Sequence, residues 1–135
     1  MTLQVQIVSP ERVLWSGEAA QVTTRVVEGG DITFLSGHIP YLGALEIGKV
    51  TVRPATSDDL EFAVHGGFVE VSADLVSVLS DVAEHSDDID EVRARAALKA
   101  AESAIADNPA NVEAHAARRR AQVRLDVSGL EASTS

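Results

Sequence analysis

The chain has 135 residues, enough for one ordinary domain or a small domain with an appendage, and too few for a large multidomain enzyme. Its formal net charge of -10 repels phosphate backbones, so we expect no nucleic-acid partner. It contains no cysteine, which excludes disulfides, thiolate nucleophiles and the usual structural zinc sites.

The first part of the chain has the pattern of β-structure. From Leu3 to about Ser80, apolar residues recur with period two, as the half-buried strands of an antiparallel sheet require. Many short strands at regular spacing predict a flattened β-sandwich, which we assign to residues 1–85. The predicted turns and breaks between strands are Gly29-Gly30, Pro54, Ser57-Asp58-Asp59, Gly66-Gly67 and Ser72-Ala73-Asp74.

The apolar period then changes to that of a helix. Asp88, with Glu91 three residues later, predicts a capping box for a helix that runs to Ala106. Pro109 predicts the start of a second helix, which runs to about Val127. The residues that we expect on the inner faces are Ala94, Ala97, Leu98, Ala101 and Ile105 in the first helix, and Ala114, Ala117, Ala121 and Leu125 in the second.

The predicted seam between these helices is mostly alanine. Alanine lets two backbones approach closely, but each buried methyl contributes only about 1 kcal/mol, against about 3 for a leucine. We therefore expect a marginally stable hairpin over residues 86–128, able to change its arrangement, and a flexible tail over 129–135. The predicted fold class is mainly β plus α, an N-terminal flattened β-sandwich followed by a C-terminal antiparallel two-helix hairpin.

No segment has the pattern of a membrane span or an export signal. The segment that begins at Met1 has neither a basic n-region nor an apolar h-region, and no run approaches the roughly 20 apolar residues of a spanning helix. We expect no direct membrane insertion; the chain is cytosolic or docks at a membrane through another protein.

Motifs for catalysis are missing from the sequence. There is no phosphate-binding loop of the Gly-x-x-x-x-Gly-Lys-Ser/Thr type and no Gly-x-Ser-x-Gly nucleophile elbow. The histidines show no i, i+4 pair that would predict a metal site; they are His38, His65, His85 and His115. We therefore assign no catalytic residue and no metal ligand, and expect a non-catalytic protein.

Four groups of residues, in order and at the right spacing, together carry a family resemblance. They are Val8–Arg12 with Ser16–Glu18, Gly30–Pro40, Gly66–Val71 with Leu79–Glu84, and Ile89-Asp90 with Arg93-Ala94. Over roughly residues 3 to 126 the chain resembles the epsilon subunits of the bacterial F-type, proton-translocating ATP synthase. It departs from the family pattern at Phe34, where glycine is usual, and at Ser36, where proline is usual.

The resemblance implies a fold, partners and a location. The fold is a sandwich of about ten strands with a two-helix hairpin. The sandwich would lie at the foot of the rotating central stalk, against the gamma subunit and the membrane ring, and would couple rotation of the ring to ATP synthesis. The hairpin would pack on the sandwich or extend toward the catalytic head and restrain ATP hydrolysis. The implied location is the cytoplasmic face of the bacterial plasma membrane, peripheral through the complex.

The resemblance also nominates two interface residues. Asp31, at the glycine-rich turn, matches the acidic residue with which the family's sandwich approaches the membrane ring. His38, near the same loop, could lie at the gamma interface. The alternatives are a solvated turn carboxylate for Asp31 and an ordinary structural or surface histidine for His38.

A second set of residues matches positions with which some bacterial epsilon subunits bind ATP: Glu84, Asp90, Arg93, Arg120 and Arg124. Clustered guanidinium groups one helical turn apart can hold phosphates bidentately. The alternative is a solvated face with ordinary helical ion pairs, Asp90 with Arg93 and Glu91 with Arg95. No cofactor is required, and regulatory ATP is the one candidate ligand.

Two other functions stay open on the residues alone. The first is a free-standing ATP sensor in which the arginine-bearing hairpin changes shape on binding. The second is a small carbohydrate- or acyl-processing enzyme built on a sandwich, for which no residue offers a nucleophile.

Overall fold

The computed structural model describes residues 2–128, so the predicted tail at 129–135 lies outside the described residues. The elements are β1 (Leu3–Val8), β2 (Val13–Val26), β3 (Gly30–Leu35), β4 (Tyr41–Pro54), β5 (Leu60–Ser72), β6 (Leu75–Leu79), β7 (Ala83–His85), a 3-10 turn (Ser86–Asp88), α1 (Glu91–Asp107) and α2 (Val112–Val127). The order confirms a β-domain followed by two helices.

The strands form one sheet that closes on itself. Its order is β1-β6-β5-β4-β2-β3, and β1 also pairs with β2, which completes the ring. All pairings are antiparallel except β1 with β6. Three strands are 13 or 14 residues long, so the seven strands of the described chain reach the expected ten when each long strand is counted twice.

Along each strand, alternate side chains point inward and fill the interior of the sandwich. In β1, Leu3, Val5 and Ile7 are fully buried while the intervening glutamines face outward. Phe34 and Phe62 are the largest side chains in this core, and the rest is mainly valine. Because aliphatic side chains with period two build both walls, the predicted strand pattern and the packed interior agree.

The Gly66-Gly67 pair lies inside β5, where the sequence predicts a break between strands. Both residues have positive φ, +90° and +115°, and the strand bends there without ending. One edge of β5 pairs with β7 before the bend and with β6 after it. A Cβ on Gly67 would lie 2.1 Å from the Leu79 carbonyl oxygen, so only glycine fits this close approach.

The helical hairpin is present, with different caps from those expected. Asp90, and not Asp88, caps α1: its carboxylate accepts from the Arg93 backbone N–H at 3.0 Å. Asp88 belongs to the preceding 3-10 turn. Asn111 caps α2, which begins at Val112, three residues beyond the predicted start at Pro109. The predicted box at Asp88 was therefore wrong, because the backbone at Asp90 is extended while that at Asp88 is already turned.

Alanine forms the seam between the two helices, as expected. Ala94 and Ala101 of α1 and Ala114 and Ala121 of α2 are buried, whereas Ala97 is exposed and does not belong to the seam. The second helix packs against β4 and β5 of the sandwich. Its Leu125 and Val127 are buried, so the end of α2 is the part of the hairpin that supplies larger apolar side chains to the interior.

Candidate functional site

A single carboxylate joins the sandwich to the helical hairpin. One oxygen of Glu84, in β7, accepts from Nε2 of His65 at 2.9 Å and from Nε of Arg124 at 2.7 Å. His65 lies in β5 and Arg124 in α2, so the contact spans three elements. We call these three residues the latch. It is the polar connection through which α2 is fixed to the β-domain.

The histidine of the latch is almost completely buried, with 4% of its side chain exposed. A carboxylate oxygen only accepts, so Nε2 of His65 carries the proton of its bond to Glu84. Its other ring nitrogen, Nδ1, is buried and has no hydrogen-bond partner within the described part of the chain. The sequence offered His65 only as one of four scattered histidines, and no spacing signal marks it.

The latch lowers the pKa of Glu84. The hydrogen bond from His65 is the largest cause, and the hydrogen bond and positive charge of Arg124 act in the same direction, against partial burial, which raises the pKa. The pKa of this carboxyl therefore lies below its ordinary value of 4.5, and the group is ionised at neutral pH. A charged Glu84 keeps both donors in place.

Four of the five predicted nucleotide-site residues converge on one pocket of about 300 Å³. Its lining is Glu84, Asp88, Asp90, Arg93, Ala94, Ala97 and Arg124. Arg120 does not line it; its guanidinium donates to Glu113 at 2.7 Å on the same helix. The pocket thus contains three carboxylates and two guanidinium groups, and one of those guanidinium groups is already bound by Glu84.

The predicted local ion pairs of the first helix are not formed. Among residues 2–128, neither Asp90 with Arg93 nor Glu91 with Arg95 makes a side-chain ion pair. Asp90 is instead engaged by a backbone N–H as the helix cap. The Arg93 side chain therefore stays available to a ligand in the pocket.

The two predicted interface residues lie toward opposite ends of β3. Asp31 is exposed at the start of the strand, where it forms an ion pair of 3.5 Å with Arg25. His38 follows the other end, packs edge-on against Phe34 with ring centroids 4.9 Å apart, and donates from Nδ1 to the Ile39 carbonyl at 2.7 Å. Phe34, a departure from the family pattern, thus holds the His38 ring.

A row of apolar side chains crosses the outer face of the sandwich. Register pairs Ala44 with Phe68, Phe68 with Leu79, Leu79 with Val8, and Val8 with Val13. Cross-strand partners share a face, so these side chains form one row, which we call the apolar belt. Val27 extends it, because its N–H donates to the Ala44 carbonyl at 2.9 Å. Val13, Val27, Phe68 and Leu79 are all exposed.

The belt is a feature that sequence reasoning missed. Its members come from strands far apart in the chain, and the parallel pairing of β1 with β6 brings Val8 beside Leu79. No local period marks such a row. A contiguous exposed apolar surface of this kind is typical of a protein interface.

Neither a metal cluster nor a membrane-spanning helix is found within residues 2–128. No group of three or more histidine, aspartate and glutamate side chains there could hold a metal ion. None of the helices described is long and apolar enough to cross a membrane.

The structure defines a two-domain protein, a closed β-sheet followed by a helical hairpin that packs on it. Residues 2–86 match the family model described as the ATP synthase delta/epsilon chain β-sandwich domain, and residues 87–129 match the long α-helix domain of the same chain. The chain therefore belongs to the ATP synthase delta/epsilon chain family, among the bacterial epsilon chains.

Curated relatives that match this chain over most of their length are ATP synthase epsilon chains. The ATP synthase epsilon chain of Streptomyces griseus is 44% identical over 123 residues, which is 91% of this chain and 92% of that one. The epsilon chain of Thermobifida fusca is 44% identical over 126 residues, 90% of each chain. The epsilon chain of Halalkalibacterium halodurans is 39% identical over 132 residues, 95% of this chain and 98% of that one.

Solved structures share the fold. A chain of the Euglena gracilis mitochondrial ATP synthase, in a structure of OSCP, F1 and c-ring, matches with a TM-score of 0.71 at 21% identity and covers 93% of this chain and 76% of its own. A chain from the central stalk and c-ring of the Tetrahymena thermophila enzyme matches with a TM-score of 0.53 at 17% identity, covering 64% and 69%.

Proposed function

We propose that this chain is a non-catalytic subunit of the central stalk of a proton-translocating ATP synthase, where it binds the gamma subunit through the apolar belt. The belt is the observation that carries the proposal. It presents Phe68, Leu79 and Val13 to solvent across four adjacent strands of a rigid closed sheet. An aromatic anchor within an aliphatic row is the composition of an interface core.

Coupling of rotation to ATP synthesis follows from this placement. A closed sheet with a valine-rich core transmits force with little deformation, because packed interiors have low compressibility. Asp31, exposed at the β2–β3 turn, is the residue that we propose to face the membrane ring. The proposed location is the cytoplasmic face of the bacterial plasma membrane, peripheral through the complex.

Regulation resides in the hairpin. Its seam is alanine, and within residues 2–128 the polar side-chain link from α2 to the sandwich is made by the carboxylate of Glu84. Release of Arg124 from Glu84 would free α2 to extend toward the catalytic head and restrain ATP hydrolysis. A hairpin whose seam is built from small side chains is suited to two arrangements of similar free energy.

Binding of ATP in the pocket beside Glu84 is a second candidate function. The convergence of Arg93 and Arg124 on this pocket favours it. A triphosphate must draw Arg124 away from Glu84 and face a lining with one more negative than positive charge. We therefore expect weak binding that requires Mg²⁺ to offset the phosphate charge. Calorimetry with Mg-ATP on the full chain tests this binding. The heat of binding should disappear in the Arg93→Ala variant and remain in the Arg118→Ala variant.

Reconstitution tests the main proposal. Membranes whose ATP synthase lacks its own epsilon chain should regain ATP-driven proton pumping when this chain is added. Addition of Phe68→Asp should not restore pumping, whereas addition of Val92→Asp, changed at an exposed site on α1, should. If wild-type chain binds nothing in such membranes, the stalk function is wrong.

A further inference from the structure

His65 belongs to two features of the molecule at once. Its Nε2 donates to Glu84 in the latch. The same residue also contributes to the lining of a pocket on the outer face of the sandwich, beside the belt. His65 therefore lies between the apolar belt and the latch.

This second pocket, which we call the belt pocket, has a volume of about 340 Å³. Its lining combines belt residues with the bend of β5 and the chain around it: Val8, Ser9, Pro10, His65, Gly66, Gly67, Phe68, Leu79, Ser80 and Asp81. Val8, Phe68 and Leu79 make one wall apolar. An apolar side chain of a partner seated on the belt is the occupant that this wall fits.

The glycine bend connects the two features along the backbone. Gly66 and Gly67 separate His65 from Phe68, and both have positive φ. Gly67 also approaches the Leu79 carbonyl too closely to admit a Cβ. Because Gly67 lies against β6, the backbone there has little room to move toward β6 when a partner displaces Phe68, which leaves the chain toward His65 as the path for the displacement.

The unpartnered nitrogen of His65 supplies a second arrangement for the ring. Within the part of the chain that the structure describes, Nδ1 is buried without a hydrogen bond, which costs free energy in the arrangement observed. A rotation of the ring that turned Nδ1 toward a hydrogen-bond partner would turn Nε2 away from Glu84. Glu84 then retains Arg124 alone, and the latch loses one of its two donors.

We propose that occupation of the belt pocket and closure of the latch are coupled through His65, which acts as a positioning residue between the docked partner and α2. The identity of the partner as a gamma subunit rests on the proposed function; the coupling itself lies within this chain. Because coupling between two sites is reciprocal, opening the latch must change the affinity of the belt by the same factor as docking changes the latch.

Nuclear magnetic resonance of the full chain tests the coupling without any partner. Arg124→Gln should shift the backbone amide signals of Gly66, Gly67 and Phe68, although it lies on α2. Arg118→Gln is the matched control on the same helix. Arg118 forms an ion pair of 3.9 Å with Glu102 of α1, and its replacement should leave those signals unchanged. In a His65→Phe background, Arg124→Gln should no longer move them. His65→Gln, which keeps a donor, is the second variant if His65→Phe does not fold, and it should preserve the response.

Affinity for purified gamma subunit provides the second arm. In the wild-type background, Arg124→Gln should change the dissociation constant by roughly 5-fold or more. In the His65→Phe background it should leave the dissociation constant unchanged. In the His65→Gln background the change should be preserved. Amide shifts confined to α2 and β7, or equal affinity for wild type and Arg124→Gln, overturn the coupling. If gamma does not bind at all while the amide response is present, the proposed function fails and the coupling stands.

Discussion

Arg124 of α2 donates to the carboxylate of Glu84 in β7 at 2.7 Å, across 40 residues of chain. Both side chains are about three-quarters buried, so water screens this pair less than a surface ion pair. The contact joins α2 to β7 through one carboxylate, and its contribution to stability can be measured.

Removing the arginine should loosen α2. We expect Arg124→Gln to lower the free energy of unfolding by about 1–2 kcal/mol, since it removes a charge-assisted hydrogen bond and leaves Glu84 with His65 alone. Hydrogen exchange should accelerate in α2 and not in the β-domain. Arg118→Gln should stay within about 0.5 kcal/mol of wild type. Equal protection of α2 in both variants would show that the latch contributes nothing.

Acid should open the latch. Glu84 has a pKa below its ordinary value of 4.5 in the folded protein, so the unfolded chain binds a proton at this group more readily than the folded chain does. The stabilisation from this group is present above its ordinary pKa of 4.5 and is lost as the pH falls through the lowered pKa. Denaturant unfolding against pH should show the difference between wild type and Glu84→Gln constant near neutrality and shrinking in acid. A difference that grows in acid would contradict the assignment.

The bend in β5 should tolerate no side chain. Gly67→Ala places a Cβ 2.1 Å from the Leu79 carbonyl oxygen at a φ of +115°. We expect a loss of about 3 kcal/mol or more in the free energy of unfolding. Gly37→Ala is the matched control, because Gly37 has φ +84° with nothing within 4 Å, and it should cost about 1 kcal/mol. Similar losses for the two variants would show that backbone conformation alone matters.

The cap of α1 distinguishes two neighbouring aspartates. Asp90→Ala should destabilise the hairpin by about 1 kcal/mol, since it removes the acceptor of the Arg93 backbone N–H. Asp88→Ala should have little effect, because Asp88 does not cap the helix. Thermal unfolding followed by helical circular dichroism measures both. The reverse order of effects would favour the cap predicted from the sequence.

Local periodicity was sufficient to predict the sandwich and the hairpin. Leu3, Val5 and Ile7 alternate with polar residues because one face of their strand is buried, and this alternation is visible in the sequence alone. The alanine seam at Ala94, Ala101, Ala114 and Ala121 likewise follows from a period of 3.6. The cap at Asp90 was missed because Asp88 offers the same chemistry two residues earlier, and only the backbone angles decide between them.

Long-range geometry was beyond the sequence. Glu84, Asp90, Arg93 and Arg124, which the family resemblance nominates for ATP, line one pocket, whereas Arg120 pairs with Glu113 and does not line it. Nothing in the sequence around His65 shows that its ring contacts a carboxylate, because the pairing of β5 with β7 brings Glu84 to it. The apolar belt requires the register of strands that are distant in the chain.

The affinity of the chain for the gamma subunit of its own ATP synthase tests the central claim most directly. Calorimetry should show wild type binding with one-to-one stoichiometry. Phe68→Asp should weaken binding by roughly 100-fold or more, because it places a charge at the centre of an apolar interface. Val92→Asp, on the exposed face of α1, should bind like wild type. Equal binding by Phe68→Asp and wild type, or no binding by the wild-type chain, would contradict a stalk subunit docked through the apolar belt.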